Sequence, residues 1–331
     1  MVNDNKVRLQ HNADAHEKRW RNNPYRERSK RLASETNIQK IFSDDAYNEL
    51  TLTFDPTYKA VYCTQNHRER PNFTMNVLNE MLRMQHTMHA CLKDDPGDQP
   101  RMQYWVHASS MRNVFNFGGD LVHFVDLLMD KDRDGMAEYA KAATDACYNN
   151  YRNFDLPITT IALCKGDTLG GGLEAALSCD VIIAERSAQM GLPEIIFGLF
   201  PGMGAYSFIS RKAGPRIAMQ MVQSGRVYSA AELHAAGLVD ILAEDGEGDT
   251  ALRDYFHKHD KRFLSRREVF RMPRVSNPVS YDEMLDIADR WVETAMTLNS
   301  MDLKKMRRLA RAQLAKSERN RGGSQHAVAA Q

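Results

Sequence analysis

Two glycine clusters stand where strand-like segments hand over to helix-like ones: Gly118-Gly119, and Gly170-Gly171-Gly172. Glycine lets a ligand approach the backbone closely and permits positive φ. A helix that starts just beyond such a turn aims unpaired N–H groups outward, at the positive end of its dipole. One amide from each turn, directed at a single point, would form an oxyanion hole, with each donor worth roughly 3–4 kcal/mol of transition-state stabilisation. A tight turn packed under a helix would leave the same trace in either cluster taken alone. Residues 166–172 lack the G-x-x-x-x-G-K-[ST] pattern of a phosphate loop and the G-x-G-x-x-G spacing of a dinucleotide site.

The segments around the turns alternate. Glu49 to Asp55 and Tyr58 to Cys63 read as a strand, turn and strand about Asp55-Pro56. From Asn72, Val77, Met81, Met84, Met88 and Cys91 recur at helical steps. Gln103 to Ser109 is a strand, and Phe115 to Asp120 is a turn into a helix bearing Leu121, Phe124, Val125 and Leu128. A longer helix is predicted over 132–154, with Met136, Ala140, Ala143 and Cys147 on one face. Ile158 to Cys164 is a buried strand, Lys165 to Gly172 a turn, Leu173 to Ser178 a short helix and Asp180 to Glu185 a strand. After Pro215 the pattern is mostly helical, including 282–298 around Trp291 and a basic amphipathic helix over 303–314. Strand and helix in alternation argue for an α/β core.

Composition narrows the class. Apolar residues make up 43% of the 331 and charged residues 26%, close to the globular norm. No apolar run approaches the about 20 residues of a membrane-spanning helix. The first thirty residues lack the apolar centre of a secretory signal, so a cytoplasmic location is expected. Five cysteines (Cys63, Cys91, Cys147, Cys164 and Cys179) include no C-x-x-C pair and fall on apolar faces. They read as small buried hydrophobes, not as a disulfide framework or a metal site. The net charge of +1 divides unevenly: +5 over residues 1–40, +6 over 301–331 and −10 between them. Basic arms flank an acidic body. Residues 1–45 have few apolar residues and are expected to form a mobile or weakly helical extension.

Two glutamates follow the second turn. Glu174 lies in the first turn of the short helix, between Leu173 and Ala175, and Glu194 lies between Pro193 and Ile195. Burial among apolar neighbours raises a carboxyl pKa towards neutrality, which suits acid/base work. Either one alone reads equally well as a helix-start residue.

Together these segments resemble the crotonase (enoyl-CoA hydratase/isomerase) superfamily. Phe115-Asn116-Phe117-Gly118-Gly119-Asp120-Leu121 is similar to its first oxyanion segment. Gly170-Gly171-Gly172-Leu173-Glu174, followed by Ser178 to Ala184, is similar to its second. Gly191-Leu192-Pro193-Glu194, Phe200 to Gly204, Tyr228 to Leu233 and Ala236 to Asp240 continue in the same order. Met190 to Phe208, Trp291 to Met296 and Leu309 to Gln313 further resemble the diffusible signal factor synthases, the RpfF-type branch. Bulky Phe117 departs from ordinary hydratases, which carry a small residue there.

The resemblance implies an α/β fold: a crotonase-like spiral of β-β-α units with a C-terminal helical region. Residues 1–45 would be the basic extension, 46–250 the spiral core and 251–331 the helical region with a basic tail. Gly119 and Gly171 would supply the oxyanion amides, Glu174 and Glu194 the acid/base pair. Trp291, Leu169 and Gly118 would contact substrate. No metal or other cofactor is implied.

The implied activity is dehydration of a 3-hydroxyacyl thioester on acyl carrier protein to a cis-2-enoyl thioester. Hydrolysis would then release a cis-2-unsaturated fatty acid used in quorum sensing. A CoA thioester is the other substrate carrier. A homotrimer or hexamer and a sensor kinase are the implied protein partners. Arg211, Lys212 and Arg216 are candidates for holding the acidic carrier. The alternatives are a conventional enoyl-CoA hydratase or isomerase of fatty-acid degradation, and a crotonase scaffold whose basic arms hold RNA or a signalling partner. Retention of both glutamates and both glycine turns argues against a purely binding role, and nucleic acid is not the expected ligand.

Overall fold

The computed structural model describes residue 20, residues 37–43 and residues 47–328, with side chains described to residue 320. A short helix, α1 (Ile38–Ser43), leads into an antiparallel hairpin of β1 (Leu50–Asp55) and β2 (Ala60–Gln65). Helix α2 (Met75–Leu92) follows, its N-terminus capped by the Thr74 hydroxyl, which accepts the Val77 N–H. Its methionines Met81, Met84 and Met88 are buried, as their spacing requires.

The next stretch runs through the same unit three times. Strand β3 (Tyr104–Ser109) turns into β4 (Asn113–Asn116), and then α3 (Leu121–Met129) and α4 (Arg133–Tyr151) follow. Strand β5 (Thr159–Cys164) turns into β6 (Gly166–Leu169) and α5 (Gly171–Leu177). Strand β7 (Val181–Glu185) turns into β8 (Gln189–Gly191) and a single 3-10 turn, Glu194–Phe197. In each unit the first strand joins one sheet and the second joins another. A six-stranded sheet in the order β1-β2-β3-β5-β7-β10 results, beside a four-stranded one in the order β4-β6-β8-β9. This is the expected β-β-α spiral. Strands β9 (Val227–Ser229) and β10 (Ile241–Ala243) complete the sheets, separated by α8 (Ala230–Ala235). Helices α6 (Ala205–Lys212) and α7 (Pro215–Ser224) precede them. Helices α9 (Gly248–His259), α10 (Phe263–Ser276), α11 (Tyr281–Ala295) and α12 (Ser300–Val328) form the C-terminal region.

Strands β3, β5 and β7 are parallel and buried on both faces, so they read as apolar runs without alternation. Alternation is nonetheless there in space. Ile161, Leu163, Val181 and Ile183 pack towards α9 with Tyr255 and Phe256, while Ala162, Cys164, Ile182 and Ala184 face the main core.

Three expectations need correction. Residues 113–116 and 166–169 are strands, not parts of the glycine turns. Gly-Asp-Thr-Leu carries no strand periodicity; its strand state comes from pairing with β4 and β8. The region after Pro215 holds two strands among its helices. The extension assigned to residues 1–45 falls largely outside the described residues. Its described part is packed: Ile38, Ile41 and Phe42, at i, i+3 and i+4, are buried in the main core. Trp20 stacks on the His89 ring with centroids 4.0 Å apart, and its Nε1–H donates to Asp155.

All five cysteines are buried and unbridged, as expected. Burial pushes the Cys164 and Cys179 thiols up to about 12. Among the described residues no helix is long and apolar enough to cross a membrane.

Candidate active site

The first glycine turn is fixed by its neighbours on every side. Asn116, the last residue of β4, accepts the Gly118 N–H (2.6 Å) through Oδ1 and donates from Nδ2 to Gln65 (2.8 Å). The Phe117 N–H donates to the Pro71 carbonyl (2.7 Å), and the Phe73 N–H donates to the Gly118 carbonyl (2.8 Å). The Gly119 carbonyl accepts from Asn72 Nδ2 at 3.0 Å. Asp120 then caps α3 and is gripped by both ends of the Arg70 guanidinium (2.8 and 2.7 Å). The N–H of Gly119 takes no partner among the described residues.

The second turn mirrors it. The Gly170 N–H donates to the Gly191 carbonyl (2.8 Å), and the Gly170 carbonyl accepts from Leu173 and Glu174. The Gly171 N–H is left without a partner at the start of α5. The two turns touch. Gly118 has φ of 87°, and a Cβ there would stand 2.6 Å from Gly171 N. A Cβ on Gly171 would lie 3.5 Å from Gly119 N. Only glycine permits this approach, which brings the two unpaired amides side by side in the wall of one cavity.

Glu174 and Glu194 share that cavity and are both buried. Glu174 Oε1 accepts two backbone N–H groups, from Met203 (2.8 Å) and Ala205 (3.0 Å). Glu194 Oε2 is buried without a partner, and Oε1 lies 2.8 Å from where a Cβ on Gly170 would be. Burial raises both carboxyls, opposed at Glu174 by the donated amides and reinforced at Glu194 by the Glu174 charge. Glu174 is pushed up to about 7 and Glu194 to about 8. Near neutral pH the pair therefore holds one proton more readily than none or two.

The cavity has an empty volume of about 610 Å³, mouth included, walled by Phe117, Phe124, Phe197, Leu199, Trp291 and Leu309. Trp291 belongs to the wall, edge-on to Phe124 at 5.2 Å and pressed against Gly202. Its helix neighbours Ala288 and Ala295 are packed into the core. Leu169 and Gly118, expected at the substrate, are not among the residues that line the cavity. Leu169 is held in β6 by pairing with Gly191, and Gly118 backs onto the Leu169 carbonyl.

The carrier-binding cations are also corrected. Arg211 is committed to Glu283 (2.8 Å) and to the carbonyls of Asn277 and Pro278. Lys212 donates to the Cys179 carbonyl. Arg216 has no such tie among the described residues.

Several wall residues carried no signal. Tyr139 donates to the Phe73 carbonyl (2.6 Å) and accepts the Asp120 N–H (3.3 Å), which ties α4 to the first turn. Met203 contributes a backbone amide, which no side-chain pattern reveals. Leu309 and Gln313 come from α12, about 120 residues beyond the glutamates in sequence. The run Leu309 to Gln313 carries part of the resemblance, but no spacing in the sequence places it over the site.

The enoyl-CoA hydratase/isomerase family model matches residues 69–253, which include both turns and both glutamates. Mouse mitochondrial methylglutaconyl-CoA hydratase is 42% identical over 100 residues, 30% of this chain and 32% of that protein. The fatty acid oxidation complex subunit alpha of Idiomarina loihiensis is 33% identical over 139 residues, 42% of this chain and 19% of that protein. The chain thus spans between a fifth and a third of these relatives' length. Among solved structures, Pseudomonas aeruginosa DspI is 25% identical with a TM-score of 0.59, over 71% of this chain and 91% of that one. Architecture and family model agree on an α/β crotonase fold with a C-terminal helical region. More than half of the chain matches the model, and the chain belongs to the enoyl-CoA hydratase/isomerase family.

Proposed function

We propose that the chain dehydrates a 3-hydroxyacyl thioester on acyl carrier protein and then hydrolyses the cis-2-enoyl product, releasing a cis-2-unsaturated fatty acid signal. The observation that carries this is the unequal glutamate pair beside two unpaired amides. Glu174, stabilised by two N–H donors, is the ionised base, and Glu194, with an unpartnered oxygen, holds the proton. Glu174 removes the C2 proton, and the electron pair moves onto the thioester oxygen, held by the Gly119 and Gly171 amides. The enolate collapses, the C3–O bond breaks, and Glu194 gives its proton to the departing hydroxyl, which leaves as water. Glu194, now ionised, takes a proton from a second water as its oxygen adds to the thioester carbon. The tetrahedral oxyanion occupies the same two amides. It then expels the thiolate, which is protonated by Glu174.

The apolar walls supply a dry channel for a medium or long tail, worth about 0.8 kcal/mol for each buried CH₂. The sensor kinase and the homo-oligomer remain part of this proposal, as does a cytoplasmic setting. A second reading, conventional hydration of an enoyl-CoA, draws on the names of the curated relatives. Incubation with a 3-hydroxyacyl carrier protein separates the two. Mass spectrometry should find free cis-2-enoic acid and unloaded carrier. A product that remains a trans-2-enoyl thioester would leave only the second reading.

A further inference from the structure

One polar side chain in the cavity wall has no part in the chemistry above. Gln313, on α12, is nine-tenths buried, with 9% exposure, and lines the same cavity as the glutamates. Its amide orientation is fixed by the groups around it. Asn72 faces both the Gly119 carbonyl (3.0 Å) and Gln313 (3.3 Å) with the same atom. A carbonyl only accepts, so that atom of Asn72 is its NH₂ group. The Gln313 atom it meets must then be the oxygen. Gln313 Nε2 is left over, a donor in the wall with no partner among the described residues.

An amide donor that a ligand closes off from water needs an acceptor, because leaving it unpaired carries the desolvation penalty of the group. Glu194 Oε2 is a wall acceptor without a partner, but the chemistry above commits it to the reacting hydroxyl; the Tyr139 hydroxyl already bonds Phe73 and Asp120, and the other surrounding side chains are mostly apolar. The ligand must supply it. In a bound 3-hydroxyacyl thioester the carbonyl oxygen is taken by the Gly119 and Gly171 amides. Sulfur is a poor acceptor, and the tail beyond C3 has no heteroatom. The oxygen on C3 remains.

We infer that Gln313 donates through Nε2 to the C3 oxygen and so selects 3-hydroxylated acyl chains over their deoxy counterparts. This rests on the dehydration proposed above. It also makes α12 part of the recognition, since its tie to Asn72 reaches the peptide of Gly119 itself.

The test uses two inert analogues, 3-hydroxyacyl and plain acyl thioethers of equal length, each with a CH₂ in place of the carbonyl and an N-acetylcysteamine arm. Neither can lose a C2 proton or be hydrolysed, so binding is read apart from turnover. Gln313→Met should lower the affinity ratio of hydroxylated to plain analogue by about tenfold. Gln313→Asn, which keeps an amide but withdraws it by one methylene, should do the same and serves if the first variant is poorly folded. A ratio that stays at the unsubstituted value in a folded Gln313 variant overturns the inference. Affinity lost equally for both analogues would place Nε2 on their shared arm and also overturn it. Failure of the proposed function shows elsewhere, as absence of free acid from the carrier-bound substrate.

Discussion

The glutamates illustrate how buried carboxyls in a candidate site are held against stability. Each carboxyl is buried, and each is raised from an ordinary value of 4.5; burial comes first for both, with the Glu174 charge adding to it at Glu194 and backbone N–H donors opposing it at Glu174. A raised folded value has a definite sign. Below about 4.5 the group is protonated in both folded and unfolded chains, and its contribution to stability is fully present. As pH rises through the folded values near 7 and 8, the unfolded chain has already ionised, and that contribution is lost. Melting temperature is therefore expected to fall between pH 5 and pH 9 from this pair. Glu194→Gln should flatten that slope and melt several degrees higher at pH 8, on the order of 2–4 °C for each kcal/mol recovered. The same variant should lose about 10²–10⁴ in dehydration rate, the usual contribution of a positioned acid. Calorimetry across pH with a parallel product assay reads both, and a variant as active as the parent and no more stable would remove Glu194 from the chemistry.

At the scale of elements, legibility followed burial geometry. Long amphipathic helices were readable because a 3.6-residue repeat survives in the letters: Met81, Met84 and Met88 of α2 are buried as the repeat demands. The central strands were readable as apolar runs. The small sheet was not, because β4, β6 and β8 are three or four residues long and owe their state to pairing. For the site, the glycines and glutamates were legible as spaced motifs, whereas the donors that tune them are backbone amides and a helix far along the chain. Trp291 sits between these cases. Its indole lines the cavity and presses on Gly202, next to the residue whose N–H holds Glu174. Trp291→Ala should shift the released acids towards longer or branched chains, because it opens the wall. It should also lower the melting temperature, at about 3–5 kcal/mol for a buried Trp-to-Ala change. Product distribution and melting temperature on one sample decide it: destabilisation with an unchanged distribution would reduce Trp291 to packing.

The whole molecule is less neatly divided than the charge pattern suggests. The basic C-terminal arm is the outer face of a helix whose inner face, Leu309 and Gln313, closes the cavity. The N-terminal division is also displaced. A boundary at residue 46 would leave α1 outside the body, yet Ile41 is fully buried there with Ile38 and Phe42, in the same core that includes the methionines of α2. Burying a side chain of this size stabilises by about 1.5–3 kcal/mol, and truncation to alanine adds the cavity left behind. Ile41→Ala in the full chain should therefore cost about 2–5 kcal/mol and lower the melting temperature by several degrees. Ile41 is absent from the walls of the cavity that holds the glutamates, so the turnover of the folded fraction should hold. Thermal unfolding followed by circular dichroism, with activity measured well below the transition, tests both parts. A melting temperature equal to the parent's would restore residue 46 as the start of the folded body and make α1 an appendage.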